Sequence, residues 1–211
     1  GEYIIQLAGE HPSHIIAPAI HKSREEVAEL FHEHLGSDPG ADIPELTRVA
    51  RRALREAFLS ADVGISGANF VVAETGTIVL VENEGNIRMS TTVPRVHIAV
   101  VGIEKVVPRR ADLAPLLRLL CRSATGQRIT SYVSFISAAR TAAEGDGPEK
   151  LHVVFLDAGR SRLWADPGQR EALNCIRCGA CLNFCPVYGS VGGHSYGWVY
   201  PGPIGSVITP H

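Results

Sequence analysis

Four of the five cysteines in this 211-residue chain lie within eleven residues, and this run constrains the fold more than any other feature. Two, two and three residues separate its members, Pro186 follows directly, and the four are Cys175, Cys178, Cys181 and Cys185. This spacing is that of bacterial iron–sulfur loops, in which the thiolates of one short segment hold a cubane cluster. The sequence therefore predicts a 4Fe-4S centre with these cysteines as metal ligands.

Zinc binding and disulfide formation could also account for such a cluster of cysteines. A structural zinc site with four cysteines usually has two CxxC pairs and a longer spacer, which this run lacks. A disulfide framework requires an oxidising compartment, and the chain shows no secretory signal. Zinc stays the weaker alternative, and the clustered thiols predict a reducing, cytoplasmic location.

A two-cluster iron–sulfur module needs a second cysteine run, and this chain contains only one. In such modules the cysteine before proline ligates the other cluster, so Cys185 would leave three ligands for the first. The fifth cysteine, Cys121, lies in an apolar helical segment and is expected to pack in the core. The chain also begins without Met, inside an apolar pattern. We expect a fragment of a longer protein, and whether the fragment retains a cluster stays open.

The composition limits the classes of protein to which the chain can belong. Its apolar share of 45% and charged share of 20% are typical of a globular protein with a sizeable core. A net charge of −2 favours no nucleic-acid partner. No apolar run reaches the length of a transmembrane segment.

Predicted helices and strands alternate along the chain. Ser23 and Glu26 form a capping-box pattern at the start of a helix that Gly36 ends. The other predicted elements are a helix beginning near Asp42, a hairpin of strands 70–73 and 77–81, a strand at 96–102, a helix capped by Asp112, and a strand at 151–157. This alternation predicts an α/β layered domain with an antiparallel hairpin. From about Trp164 the composition changes to Gly, Pro and aromatic residues.

Three segments resemble the signature of the LUD domain of lactate-utilisation proteins. They are residues 61–70 (ADVGISGANF), 73–78 (AETGTI) and 81–86 (VENEGN). The cysteine run and the Gly-rich tail at 192–205 resemble the iron–sulfur protein B family of the same system. The C-type proteins of that system share the LUD domain and lack the cysteine run, so the cysteines favour the B family.

The resemblance implies a fold, a function and partners. The fold would be a LUD α/β domain like the ribose-5-phosphate isomerase and coenzyme A transferase group over residues 1–165, with the start of a ferredoxin-like 4Fe-4S segment over 166–211. The family implies an electron-transfer subunit of a cytoplasmic system that oxidises L-lactate to pyruvate with A- and C-type partner proteins. Full-length members would carry two clusters, more LUD residues before Gly1 and a second cysteine run after His211. The electron acceptor is not predicted.

Glu74 is the candidate catalytic residue outside the cysteine run. It lies where a predicted strand ends in a Thr-Gly turn, and α/β sheets bind ligands at such strand ends. The other candidate ligand-binding residues are Thr75, Asn83, Glu84, Asn86 and Arg88. The alternative function is therefore an enzyme domain that binds a small molecule or a coenzyme A-like ligand near Glu74, with a structural metal cluster. These residues could also have a purely structural role. In that case Asn and Gly would shape the turn, and Glu and Arg would pair on the surface.

Overall fold

The computed structural model describes residues 1–12 and 17–211. It contains two compact units, which are described separately: the first comprises residues 1–56 and 179–210, and the second comprises residues 57–178 and 211. Within the described ranges, no helix combines the length and the apolar character needed to cross a bilayer. The division expected between residues 165 and 166 stays a prediction.

The described elements are numbered in chain order. The α-helices are α1 (Glu2–Ala8), α2 (Arg24–Leu35), α3 (Ile43–Ser60), α4 (Asn86–Thr92), α5 (Leu113–Thr125), α6 (Arg160–Ala165), α7 (Ala180–Phe184), α8 (Pro186–Val191) and α9 (Gly202–Ile208). The strands are β1 (Val63–Ser66), β2 (Phe70–Val72), β3 (Thr77–Glu82), β4 (Val96–Gly102), β5 (Val106–Val107), β6 (Tyr132–Ile136) and β7 (Lys150–Leu156). Short 3-10 helices cover Ile103–Lys105, Arg110–Asp112, Arg170–Asn174 and His194–Tyr196.

The first unit is helical, and its best-defined helix start is the one that the sequence predicts. The Ser23 hydroxyl accepts the Glu26 amide at 3.2 Å, and the Glu26 carboxylate accepts the Ser23 amide at 2.7 Å. Gly36 ends α2 with a φ of 67°, a backbone conformation that glycine adopts without steric cost. The apolar faces of α2 and α3 then meet in one core cluster, formed by Ala28, Phe31, Ala41, Leu46 and Val49. The predicted capping box is confirmed.

The second unit contains two sheets. One is a parallel sheet in the order β1-β4-β7, and the other is a mixed sheet in the order β5-β2-β3-β6. The predicted hairpin is confirmed as β2 and β3, which pair antiparallel with Phe70 opposite Val79. The strands predicted at 96–102 and 151–157 are confirmed as β4 and β7. The antiparallel partner of β3 on its other edge, β6, was not predicted from the sequence. The structure is thus a mixed α/β fold.

The side chains of β2 and β3 point alternately into two cores of the second unit. One core lies between these strands and α5: Phe70, Val72, Val79, Leu113 and Leu120. The other lies between these strands and β4: Val71, Ile78, Leu80, Ala99 and Val101. The mixed sheet is therefore covered on both faces, which explains why β3 is almost fully buried. Cys121 is buried in α5, as expected for a thiol used in packing.

Two local details concern the contact between β1 and α4 and the start of α5. Gly64 of β1 lies so close to α4 that a Cβ atom would stand 1.7 Å from the carbonyl oxygen of Ser90. Asp112 precedes α5 without a side-chain capping bond, because its carboxylate accepts the amide of Arg109 instead, at 3.0 Å. The helix start was predicted correctly, whereas the capping contact expected of Asp112 serves the preceding turn.

Candidate metal centre and the polar cluster beside it

Cys175 and Cys178 are the two clustered cysteines of the second unit. The amide of Arg177, between them, donates to Sγ of Cys175 over 3.4 Å. Arg177 has a φ of 60°, a left-handed conformation that is uncommon for a residue with a side chain. Cys178 packs against the core cluster that contains Phe70 and Leu113. The first half of the run is therefore held against the β2–β3 side of the second unit.

Cys181 and Cys185 belong to the first unit. Cys181 lies in α7, which follows a left-handed glycine with a φ of 75° at Gly179. Cys185 caps the N-terminus of α8, where its Sγ accepts the amide of Tyr188 over 3.4 Å. That backbone contact lowers the pKa of the Cys185 thiol from its ordinary value of 9.0. A thiolate at this position is thus stabilised by the start of the helix.

The four cysteines of the run offer thiol donors, the ligand type that iron–sulfur clusters and structural zinc sites use. All four cysteines of the run are free thiols, and so is Cys121. Sulfur atoms of Cys175 and Cys185 accept backbone N–H groups, which is the kind of contact that stabilises thiolates bound to iron and tunes their potential. That Cys175, Cys178, Cys181 and Cys185 together hold a cluster stays a prediction from their spacing.

A buried carboxylate lies beside the first half of the run, and the sequence analysis did not identify it. Glu104 follows β4 and its side chain is only 4% exposed. Its Oε1 lies 3.4 Å from a guanidinium nitrogen of Arg177, and its Oε2 lies 3.6 Å from Nε of Arg160. These three residues are 56 and 17 positions apart in sequence (104 to 160 and 160 to 177), so local patterns contain no signal for this group.

Lys105 adds a further cation to this group. Burial lowers the pKa of its ammonium group from 10.5 to about 8, and the neighbouring Arg177 guanidinium contributes to this lowering. The carboxylate of Glu104 and the thiol of Cys175 act in the opposite direction on the same pKa. We call Glu104, Lys105, Arg160 and Arg177 the Glu104 group. It combines one acidic side chain with three basic ones.

Glu74 and Thr75 lie in the exposed turn between β2 and β3. The carboxylate of Glu74 accepts the amide of Arg110 at 3.1 Å, and the Glu74 amide donates to the carbonyl of Pro108. The hydroxyls of Thr75 and Thr77 lie 2.7 Å apart. These contacts join the turn to the segment that follows β5.

The other predicted ligand-binding residues lie beyond the opposite end of β3. Asn83 contacts Gln127 and accepts the amide of Ser131 at 3.0 Å, whereas Glu84 is exposed. Asn86 begins α4 and accepts the amide of the next residue, Ile87. The Arg88 guanidinium lies 5.8 Å from the ring centre of Tyr132.

The structure does not bring these two groups of candidates together. Six residues of extended strand span about 20 Å, and β3 separates Glu74 and Thr75 from Asn83 by that length. A single small-molecule site built from all six candidates is therefore not formed. Buried Glu82, at the end of β3, instead accepts the amides of Ile87 and Arg88 and fixes the start of α4.

A serine and a histidine meet at the end of the parallel sheet. Oγ of Ser66 lies 2.8 Å from Nε2 of His97, which is fully buried and whose pKa burial lowers. The same hydroxyl donates to the carbonyl of Gly67 at 2.9 Å. Either Ser66 or His97 can be the donor in the contact between their side chains, because the tautomer of His97 sets the roles.

The first unit contains a separate group of metal-capable side chains. Glu10, His21 and His194 place their ligand atoms within 4.8 Å of one another on an exposed surface. Oε2 of Glu10 already contacts Nε2 of His21 at 2.7 Å, and its other oxygen contacts Lys22. A bound metal would have to displace these contacts, so any metal analysis of the chain needs a control at this group.

Residues 1–156 match the family model of the LUD domain. The chain belongs to the LUD domain family. Over all of its 211 residues it is 53% identical to "Lactate utilization protein B" of Shouchella clausii (strain KSM-K16). It is 51% identical, also over its whole length, to "Uncharacterized electron transport protein YkgF" of Escherichia coli (strain K12). In both cases the chain spans 44% of the length of the relative.

One solved structure is also similar to this LUD domain chain. It is that of a duf162 family protein from Deinococcus radiodurans, at 21% sequence identity and a TM-score of 0.38. The similarity covers 73% of this chain and 92% of that one.

The extent of the LUD match divides the site residues into two sets. Glu104 and Lys105 lie inside the matched residues 1–156, as do Glu74 and Asn83. Arg160, Arg177 and the cysteine run lie after them. The Glu104 group therefore connects the LUD domain with the first half of the cysteine run inside the second unit.

Proposed function

We propose that this chain is the part of an electron-transfer protein that carries an iron–sulfur centre and that it takes part in the oxidation of L-lactate to pyruvate. Its partners would be the A- and C-type proteins of the same system, in a reducing cytoplasm. Two similar proteins support this proposal by their names, one as a lactate utilization protein and one as an electron transport protein. The observation that carries the proposal is the run of four free cysteines.

The chemistry of the reaction explains why such a centre is useful. Oxidation of lactate breaks one C–H and one O–H bond and releases two electrons and two protons. When bound, an iron–sulfur cluster supplies one-electron transfer at a potential set by its surroundings. The chain's own contribution is to hold the thiolates, to donate N–H groups to Cys175 and Cys185, and to place basic side chains near Cys175.

Iron, acid-labile sulfide and zinc per chain test the proposal, measured on protein purified without oxygen. We expect about four irons and four sulfides per chain, with broad absorbance at about 400 nm. A Cys178→Ser variant should lose most of both. A His194→Asn variant, which removes a ligand of the exposed Glu10 group, should keep them. One zinc per chain with no iron, unchanged by His194→Asn, would contradict electron transfer and favour a zinc-stabilised interaction module.

The alternative function, a domain that binds a small molecule or a coenzyme A-like ligand near Glu74, receives less support. Glu74 is exposed, and β3 separates it from Asn83, Glu84, Asn86 and Arg88. A pocket at this turn would have to be formed by Glu74 and Thr75 with the segment after β5. Loss of ligand binding in Glu74→Gln, with iron content unchanged, would favour this alternative.

A further inference from the structure

Arg177 occupies a position where the backbone alone would favour glycine. Its φ of 60° places it in the left-handed region, between two of the clustered cysteines. A side chain with a Cβ atom is disfavoured there unless its contacts hold it in place. Gly179, two residues later, adopts a similar φ of 75° without such a cost. The contacts of the Arg177 side chain must therefore offset the cost of this backbone conformation.

The side chain of Arg177 connects Glu104 with the backbone of the cysteine run. One terminal nitrogen of its guanidinium donates to Oε1 of Glu104 at 3.4 Å, and the other donates to the carbonyl oxygen of Cys175 at 3.5 Å. The amide of the same residue donates to Sγ of Cys175. Arg177 thus contacts both the backbone and the sulfur of the first cysteine, while Glu104 fixes its far end.

Burial raises the desolvation cost of the charged side chains in the Glu104 group. The side chains of Glu104, Arg160 and Arg177 are 4%, 18% and 13% exposed. Removing charges from water carries a large desolvation cost, which a buried ion pair offsets only with close contacts and further hydrogen bonds. The group also has three basic side chains for one acidic one, and the backbone of Cys175 contacts one of the three, Arg177.

We propose that Glu104 is a positioning residue that acts through Arg177 to hold Cys175 and Cys178 ready for the metal and to set the charge next to them. This inference rests on the proposed iron–sulfur function. Arg177 contributes a positive charge that contacts the backbone of Cys175, and Glu104 contributes a negative charge that contacts Arg177. The two residues therefore have opposite electrostatic effects on the centre while cooperating in its geometry.

The reduction potential of the reconstituted full chain separates these effects. Glu104→Gln removes a negative charge and keeps a similar shape, so the potential should rise. Arg177→Gly removes a positive charge and suits the left-handed backbone, so the potential should fall. Arg177→Lys keeps the charge and should restore a potential close to that of the unchanged protein. A shift of both potentials in the same direction would contradict the charge effect.

Metal affinity and hydrogen exchange test the positioning effect. Contacts that orient metal ligands typically change metal affinity by about 10- to 100-fold, and we expect losses in this range for Glu104→Gln and Arg177→Gly in iron and sulfide reconstitution. In the metal-free chain, both variants should exchange the amide protons at positions 175 and 178 faster. Unchanged exchange in both variants would overturn the positioning role.

These readouts keep the two proposals apart. If the unchanged chain binds no iron, this chain alone does not hold the proposed cluster, and hydrogen exchange in the metal-free chain alone decides the role of Glu104. The matched control is Glu45, a carboxylate in α3 that also contacts two arginines, Arg48 and Arg52, on an exposed face. Glu45→Gln and Arg52→Gln change the charge by the same amounts and should leave the potential and the exchange of residues 175–178 unchanged.

Discussion

Glu45 and Glu104 are two carboxylates that each contact two arginines, and they differ chiefly in burial. Glu45 lies 2.7 and 3.0 Å from Arg48 and Arg52, which are 59% and 66% exposed. Glu104 lies 3.4 and 3.6 Å from Arg177 and Arg160, in a group largely shielded from water. The exposed group has the shorter contacts, yet water and salt screen it. We therefore expect burial, rather than distance, to decide which of the two groups contributes more to stability.

The largest expected effect follows from leaving the buried arginines without their carboxylate. Glu104→Ala should lower the free energy of unfolding by about 3–5 kcal/mol, because Arg160 and Arg177 would remain as uncompensated charges in a shielded site. Urea unfolding followed by circular dichroism measures this change. A loss of unfolding free energy below about 1 kcal/mol is typical of exposed ion pairs. Such a result would mean that Glu104 contributes no more to stability than Glu45 does.

A smaller effect is expected in the pH dependence of stability. The pKa of Lys105 is about 8 in the folded chain, against 10.5 ordinarily. Between these values the unfolded chain binds more protons, so the free energy of unfolding should rise with pH, by up to about 3 kcal/mol from this group. Below pH 8 this contribution is absent.

Lys105→Met should remove this rise of the free energy of unfolding with pH. Unfolding curves at about pH 7.5 and about pH 10 for both proteins, compared as a difference, isolate Lys105 from other titrating groups.

The smallest effect is expected at the exposed group. Glu45→Gln should change neither the urea midpoint nor its salt dependence beyond experimental error, because Arg48 and Arg52 remain hydrated when the charge is removed. Measurements at low and at high salt check this. The opposite result would be a large loss of stability at low salt that disappears at high salt. It would show that the exposed contacts of Glu45 do stabilise the fold, and burial would then not distinguish Glu45 from Glu104.

Local signals predicted the parts of the fold that depend on neighbouring residues. The capping box at Ser23 and the β2–β3 hairpin with its Gly76 turn each involve residues close in sequence. The strand β6 was missed because its pairing with β3, Val79 opposite Phe135, joins positions far apart in the chain. Its own five residues are too short a segment to distinguish from a loop.

The candidate sites show the same limit. The cysteine run was found because all its members lie in one short segment. Glu104, Arg160 and Arg177 lie far apart in sequence, and only the tertiary structure brings them into contact. The separation of Glu74 from Asn83 was available from the sequence, since the strand predicted between them is long enough to keep them apart. The fit of the whole run to a cluster remains a prediction from its spacing.

The close approach of α4 to Gly64 has a consequence for mutational tolerance. Since even a methyl group at this position would overlap the carbonyl of Ser90, every substitution must push the helix away from the strand. A saturation library of this chain should therefore show Gly64 as a position with almost no accepted replacements. A residue without a reactive side chain can thus tolerate substitution as poorly as a metal ligand does. If positions were ranked by tolerance alone, Gly64 would wrongly be assigned to the reactive centre.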